Sequence, residues 1–400
     1  MKKEWPTKTL GEVLQKTETV NPLQSPETEF DYIDVSSVSN ATFQIKATQR
    51  LKGKNAPSRA RKLVRENDVL FATVRPTLQR IAVVPEHLDK QVCSTGYFVL
   101  RAKHGIDHRF VFYSLFTEDF IAQMESLQKG ASYPAVTDGD VKAQVIPVPP
   151  LPEQQRIVGI LDEAFEGLAT AKANAEKNLQ NARVLFESHL QSVFTQRGKG
   201  WKQKTLEEIA TTFGRGKSKH RPRNAPHLYG GKYPFVQTGD IRNADHIITE
   251  YSQTYSEAGL AQSKLWPNGT ICITIAANIA ETAILGFDAC FPDSVIGVLA
   301  NPKEADVGFI EYLLQSFKAR LQAMGKGSAQ ANINMGTFEN ERFPFPPVAE
   351  QKEIVTKLDD LHEATQRLES IYQQKLAALE ALKKSLLHQA FTGQLTMDNG

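Results

Sequence analysis

Residues 147–168, PVPPLPEQQRIVGILDEAFEGL, return at residues 344–365 as PFPPVAEQKEIVTKLDDLHEAT, and the register between the copies stays at 197 positions through the segment that follows. Pro149 and Pro150 fall on Pro346 and Pro347, Glu153 and Gln154 on Glu350 and Gln351, Ile157 on Ile354, Leu161 on Leu358, Leu179 on Leu376, and Phe194 and Thr195 on Phe391 and Thr392. Chance apolar periodicity drifts after one or two turns, so a register held over about fifty residues marks a duplication. The chain is built twice.

Each copy reads as a proline stop followed by a helix. The prolines fix their own backbones and push the residue before each out of helical geometry, so an incoming domain ends there. Apolar positions then run Ile157, Leu161, Ala164, Leu168, Ala171, Ala175, Leu179, Ala182 and Leu185, the 3 and 4 spacing of one helical seam. The second copy runs Ile354, Leu358, Leu361, Thr365, Leu368, Tyr372, Leu376, Leu379 and Leu382, with Thr365 as its one interruption. Gly198 and Gly393 are the expected helix closers, since glycine accepts left-handed geometry. About forty residues at ~1.5 Å each make a rod of roughly 60 Å. A rod with one seam needs a partner seam. The other copy is the obvious partner, paired antiparallel about an approximate two-fold axis. Two helices each lying on its own domain, or a seam that docks a different protein, are the other ways to cover it.

At 400 residues the chain exceeds one core and suits two domains of about 150 residues plus connecting helices. The net charge of +2 excludes little, and residues 1–150 carry 20 basic against 17 acidic side chains while 200–347 carry 15 against 14. Affinity for a polyanion must therefore come from local clusters. Cys93, Cys272 and Cys290 are odd in number, widely spaced and set among apolar residues, which reads as buried thiols in a reducing compartment. The amino terminus MKKEWPTKTLGEVL lacks the apolar core of a signal peptide, and the most apolar run, 270–287, is too short and polar to span a bilayer. A cytoplasmic protein with no membrane partner is expected.

The duplication continues into the globular halves. Trp5 to Leu10 (WPTKTL) answers Trp201 to Leu206 (WKQKTL), FDYIDVSSV answers YPFVQTGDI, and NDVLFATVRP from Asn67 answers NGTICITIAA from Asn268. These alternating or β-branched runs between turn residues predict strands of a mainly β domain. Each half closes with an amphipathic helix, 110–128 or 309–324, ending at a Lys-Gly pair, then a loop of small polar residues and a short strand at Val136 or Ile333. The expected class is α+β: two mainly β domains with small helices, 1–148 and 199–345, separated by two long antiparallel coiled-coil helices, 149–198 and 346–400.

Two stretches without acids stand out. Lys46, Arg50, Lys52, Lys54, Arg59, Arg61, Lys62 and Arg65 place eight cations in twenty residues, and Arg215, Lys217, Lys219, Arg221 and Arg223 place five in nine. Such clusters draw phosphate backbones by releasing counterions, and arginine also forks onto guanine. A solvated loop is the plainer reading of each. Polar residues expected on strand edges are Ser36, Ser37, Thr73 and Arg75 in the first half and Thr238, Asp240, Thr274 and Asn278 in the second. Arg75 and Arg80 bracket a turn able to present both guanidiniums to one groove. Lys129, Ser132, Tyr133, Lys326, Ser328 and Gln330 flank the Gly130 and Gly327 loops, which serve as helix caps first and as nucleic-acid contacts second.

Catalytic patterns are missing from the sequence. It has no glycine-rich phosphate loop, no Asn-Pro-Pro-aromatic tetrapeptide, no GxGxG cofactor loop, and no His, Cys or carboxylate set with metal spacing. Asp293 with Glu350 and Lys352 is a weak nuclease-like hint that reuses a helix start.

The repeated Pro-Pro-x-x-Glu-Gln start and long seam helix, each after a β-rich domain that ends in a Gly-Ser/Ala loop, resemble the specificity subunit of type I restriction–modification enzymes across the whole chain. The second copy departs from the pattern only in having Val348-Ala349 where the first has Leu151-Pro152. The resemblance implies two target-recognition domains that each read half of a split double-stranded DNA sequence, held apart by the paired helices. It also implies two modification subunits that methylate adenine with S-adenosylmethionine, and restriction subunits that use ATP and Mg. No cofactor is expected in this chain and catalysis is expected in its partners. A coiled-coil scaffold joining two protein-binding β domains is the alternative, and the basic loops argue against it.

Overall fold

A computed structural model describes residues 5–196, 198, 200–220, 222–276, 279–326 and 335–395. Arg221, Asn278, Ser328, Gln330 and Ile333 lie outside the described residues. The chain divides into two units: one of residues up to 176 with those from 374 onward, the other of residues 177–373. The long helices Leu151–Thr195 and Val348–Phe391 each contribute one part to each unit.

In unit 1 a four-stranded sheet has the spatial order Gln49–Lys52, Glu29–Ile33, Val92–Ser94, Ala60–Leu63, and a three-stranded sheet has the order Ile81–Val83, Val69–Ala72, Tyr97–Leu100. The Val69–Ala72 strand is buried on both faces, which its unbroken apolar run requires. Leu70 and Ala72 pack with Ile33, Val38 and Cys93. Val69 and Phe71 face the other way, onto Phe110, Phe120 and Met124 of the helices His108–Ser114 and Glu118–Leu127. One helix was expected over 110–128; Leu115–Thr117 breaks it, because Thr117 accepts the Phe120 N–H and starts a new cap.

Unit 2 repeats the plan with different loops. A five-stranded sheet runs Ala210–Arg215, Val295–Ala300, Ile271–Thr274, Thr282–Leu285, Ile247–Ile248, and a four-stranded sheet runs Gln253–Tyr255, Tyr229–Phe235, Ala289–Cys290, Leu265–Trp266. Its core helix, Val307–Lys326, is unbroken. Each unit closes by pairing its first strand antiparallel with the strand before the prolines: Thr7–Thr9 with Val145–Pro147, and Lys202–Lys204 with Phe343–Phe345. Each first strand leads into the same threonine–glutamate turn, with the Thr9 or Thr205 N–H donating to Glu12 or Glu208 at 2.7 Å.

The repeated glutamine explains the motif at the helix start. Gln154 is buried; its Oε1 accepts the Asp107 N–H at 2.9 Å and its Nε2 donates to the Pro149 and Gly105 carbonyls at 2.8 and 3.3 Å. Gln351 accepts from Asp306 at 2.8 Å and donates to Pro346 and Glu304 at 2.8 and 3.3 Å. One side chain thus ties the proline stop to the aspartate that begins an earlier helix of the same unit, twice, Asp107 before His108–Ser114 and Asp306 before Val307–Lys326. Two turns further along each long helix, Tyr113 donates to Asp162 in unit 1 and Tyr312 to Asp359 in unit 2.

The helices pair antiparallel within each unit, Lys172 with Glu380 in the first and Arg183 with Glu369 in the second. The seam differs from the sequence reading at Leu368, which is 39% exposed, and at one repeated place. Leu185 is 50% exposed and its repeat partner Leu382 is 48% exposed, while Phe186, Leu190 and Phe194 turn inward. A helix of 3.6 residues per turn drifts away from a 3.5 repeat, so the buried line moves over by one residue. Thr365 is buried, and its hydroxyl is satisfied by the Leu361 and His362 carbonyls. Gly393 has φ +72°, the left-handed closer its position called for. Gly198 plays another part: the helix stops at Thr195, and a Cβ on Gly198 would meet Trp201 Nε1 at 2.8 Å. Among the described residues no helix is long and apolar enough to cross a membrane.

Candidate nucleic-acid interface

The first basic stretch is free of acids along the chain but not across the sheet. Arg50 pairs with Asp31 at 2.8 Å, Lys52 and Lys54 share Glu27 at 3.2 and 2.9 Å, Lys62 meets Asp138 at 2.9 Å, and Arg65 meets Glu18 at 2.7 Å. The shared Glu27 carboxyl is held below its usual range by the two lysines. Arg59 is exposed, and Arg61 is half-buried with Nη1 on the Ala60 carbonyl. Of the eight cations in this stretch, Arg50, Lys52, Lys54, Lys62 and Arg65 are thus paired, and Lys46, Arg59 and Arg61 have no carboxylate within ion-pair distance among the described residues.

Arg75 and Arg80 part company. Arg80 Nη1 donates to the Val38 carbonyl at 2.5 Å and lies 3.4 Å from those of Val35 and Ser36, so it staples its hairpin to the neighbouring turn. Arg75 is exposed, adopts φ 50° and ψ 58°, and places its guanidinium 5.3 Å from the centroid of Tyr133, itself 72% exposed. Gln79, four residues on, is also left-handed at φ 50°. The Arg75 N–H donates to the Pro134 carbonyl at 2.7 Å, which brings the exposed Lys129 and Ser132 alongside. Strained backbone of this kind persists where surrounding contacts fix it.

Ser36 and Ser37 are not on a strand edge. They sit in a single turn, Val35–Ser37, where Ser37 Oγ accepts the Asp34 N–H at 3.1 Å and Ser36 donates to Asp34. Thr238 and Asp240, expected on a strand, begin the helix Thr238–Asn243, and Asp240 accepts the Gln237 N–H at 2.8 Å. The sequence resemblance of these segments is therefore real but marks a capped turn after a strand. Thr73 is buried, its hydroxyl on the Gly96 carbonyl, and Thr274 is buried against Glu281.

In unit 2, Arg215 donates to the Asp293 carbonyl at 2.7 Å and Arg223 Nη2 reaches both Asp293 carboxylate oxygens at 2.9 and 2.7 Å. Glu350 accepts the Trp201 indole N–H at 2.9 Å, so the nuclease-like hint dissolves into two structural contacts. Lys217 and Lys219 are exposed. Sequence reasoning missed Lys264, which lies 3.5 Å over the Trp266 ring; burial and then the nearby Lys217 charge lower its pKa. Ser263 donates to the Lys217 carbonyl at 2.8 Å, and this contact across 46 residues is what assembles the pair. No local signal betrays it. Lys326 ends the Val307–Lys326 helix, and its side chain is outside the described residues.

The three thiols are buried; burial pushes Cys93 up to about 12 and raises Cys272 and Cys290 as well. Among the described residues no group of three His, Cys, Asp or Glu could hold a metal ion.

Fold and site together define a duplicated α+β recognition protein: two β units, each with its own exposed cations, on a shared pair of helices. The family model for the type I restriction modification DNA specificity domain matches residues 2–179 and again residues 198–380, and the chain belongs to that family. It is similar to a chain in a structure of the complex assembly and conformational transition of the type I R-M system, with TM-score 0.84 and 30% identity over 98% of this chain and 99% of that one. The HsdS subunit from Thermoanaerobacter tengcongensis matches with TM-score 0.72 and 29% identity over 98% of both chains. The EcoKI specificity subunit of Escherichia coli K12 is 24% identical over 329 residues, 76% of this chain and 69% of that protein. The alignment to one relative from Methanocaldococcus jannaschii spans 63% of that relative's length.

Proposed function

We propose that each unit reads one half of a split DNA sequence and that the chain places methyltransferase and restriction subunits on that DNA. The observation that carries this is the specificity domain occurring twice, once for each β unit. The cations differ between units: exposed Arg59, Arg75 and Lys129 with half-buried Arg61, beside Ser132 and Tyr133, in one; exposed Lys217 and Lys219 with half-buried Lys264 in the other. Unlike reading surfaces select unlike half-sites. Lysines chiefly fix the protein on phosphates, while arginine can fork onto guanine and so carries sequence.

Chemistry falls to the partners in this reading: adenine methylation with S-adenosylmethionine, and cleavage and translocation with ATP and Mg, in the cytoplasm. The half-exposed Val184, Leu185, Leu368 and Ile371 on the helices of unit 2 are the surface we assign to a modification subunit. Cations without an acidic partner favour DNA over the protein-binding scaffold. Selection of bound duplexes from a random pool, using the chain with its modification subunits, tests the reading. Two unlike clusters of fixed bases with a random gap are expected; one continuous motif, or none, contradicts it.

A further inference from the structure

A duplicated helix creates a pairing problem. The two copies share one register, so the first long helix could in principle pair with itself in a second molecule as readily as with the second helix. The side chains at four repeated positions break that equivalence. Positions 172 and 183 of the first helix are Lys and Arg; the repeat partners, 369 and 380, are both Glu. In unit 1 Lys172 Nζ meets Glu380 at 2.7 Å, and in unit 2 Arg183 Nε meets Glu369 at 2.8 Å. The first helix supplies the base both times and the second helix the acid both times.

A second layer follows the same rule. Positions 165 and 186 of the first helix are both Phe, and their repeat partners on the second helix are His362 and Lys383. The Lys383 ammonium lies 5.3 Å from the Phe165 centroid in unit 1, and the His362 ring lies 4.9 Å from the Phe186 ring in unit 2. The first helix is aromatic at both places and the second is basic at both.

We infer that these eight residues encode cross-pairing, so that the surface of the first long helix fits the second long helix and rejects a second copy of itself. In the register seen in both units, two first helices would set Lys172 against Arg183 twice. Two second helices would set Glu369 against Glu380 and His362 against Lys383, twice each. Exposed ion pairs add little stability singly. Specificity needs only a difference, and turning both ion-pair attractions into like-charge contacts supplies one.

Charge isomers of the 400-residue chain test this without changing composition. In K172E/E380K the partners trade charges and attraction is kept. In K172E/E369K the carboxylate introduced at position 172 faces Glu380, and the ammonium introduced at position 369 faces Arg183. At low ionic strength the first variant should melt within about 1 °C of wild type and the second roughly 3 °C lower, with the gap closing in 1 M salt as charges are screened. Should K172E/E369K fail to fold, adding R183E/E380K restores both attractive pairs and should recover folding. Equal melting of the two isomers, or failure of that rescue, overturns the inference.

Discussion

Replacing Gln154 with alanine should destabilise unit 1 by a calculable amount and leave unit 2 alone. The side chain is 1% exposed and makes three hydrogen bonds, to the Asp107 N–H and to the Pro149 and Gly105 carbonyls. A buried hydrogen bond is worth on the order of 1 kcal/mol net, so truncation costs about 3 kcal/mol. That corresponds to a local opening constant raised roughly a hundredfold. Asp107 also caps the helix His108–Ser114, accepting from Arg109 and Phe110 at 2.8 and 3.1 Å, so the loss reaches that helix. Amide hydrogen exchange read residue by residue is the assay. Asp107 and the first turn after it should exchange about a hundredfold faster in Gln154→Ala, with Asp306 unchanged, and Gln351→Ala should show the mirror result. Gln154→Glu puts oxygen against two carbonyls and should be no better than alanine. Unchanged exchange at Asp107 would refute the view that the repeated glutamine clamps domain to helix.

Three shorter expectations accompany it. His246 Nδ1 lies 2.7 Å from the fully buried Glu311; burial pulls the imidazole pKa down, but Glu311 outweighs it and leaves the pKa raised. A raised folded pKa gives stability that is full below the unfolded value near 6.5 and is lost as pH rises through the folded value. Unit 2 should thus lose stability on going from mildly acid to alkaline pH, and Glu311→Gln should flatten that dependence in pH-resolved urea melts. The buried thiols should resist an aromatic disulfide reagent in the native chain and all three should react in denaturant; rapid native labelling of any one contradicts the burial. The purified chain without partners should transfer no methyl group and cut no DNA in a radiolabel assay; partner-free methyl transfer contradicts the division of labour.

The architecture was readable because it is written in period and register. The 197-residue offset, the proline stops and apolar runs such as Val69–Ala72 and Ile271–Thr274 are local patterns. Electrostatics was less readable, since the acids that neutralise Lys52 and Lys54 come from Glu27, 25 and 27 residues away on a facing segment. Lys264 gains its meaning from a contact made 46 residues distant at Lys217. The segment at Thr238–Asp240 looked like strand because it follows one; the Asp240 cap turns it into helix. In the seam, a one-residue drift exposed Leu185 and Leu382 together, an error the repeat made twice for one physical cause.

Methylated-adenine mapping in cells bearing this chain with the modification subunits proposed as its partners, before and after residues 200–343 are exchanged for the same span of another family member, tests the account most directly. Two unlike half-sites with a fixed gap are expected, and the exchange should rewrite one half while the other half and the gap stay as they were. A change in both halves, or in neither, would contradict the claim that each unit reads its own part of the target.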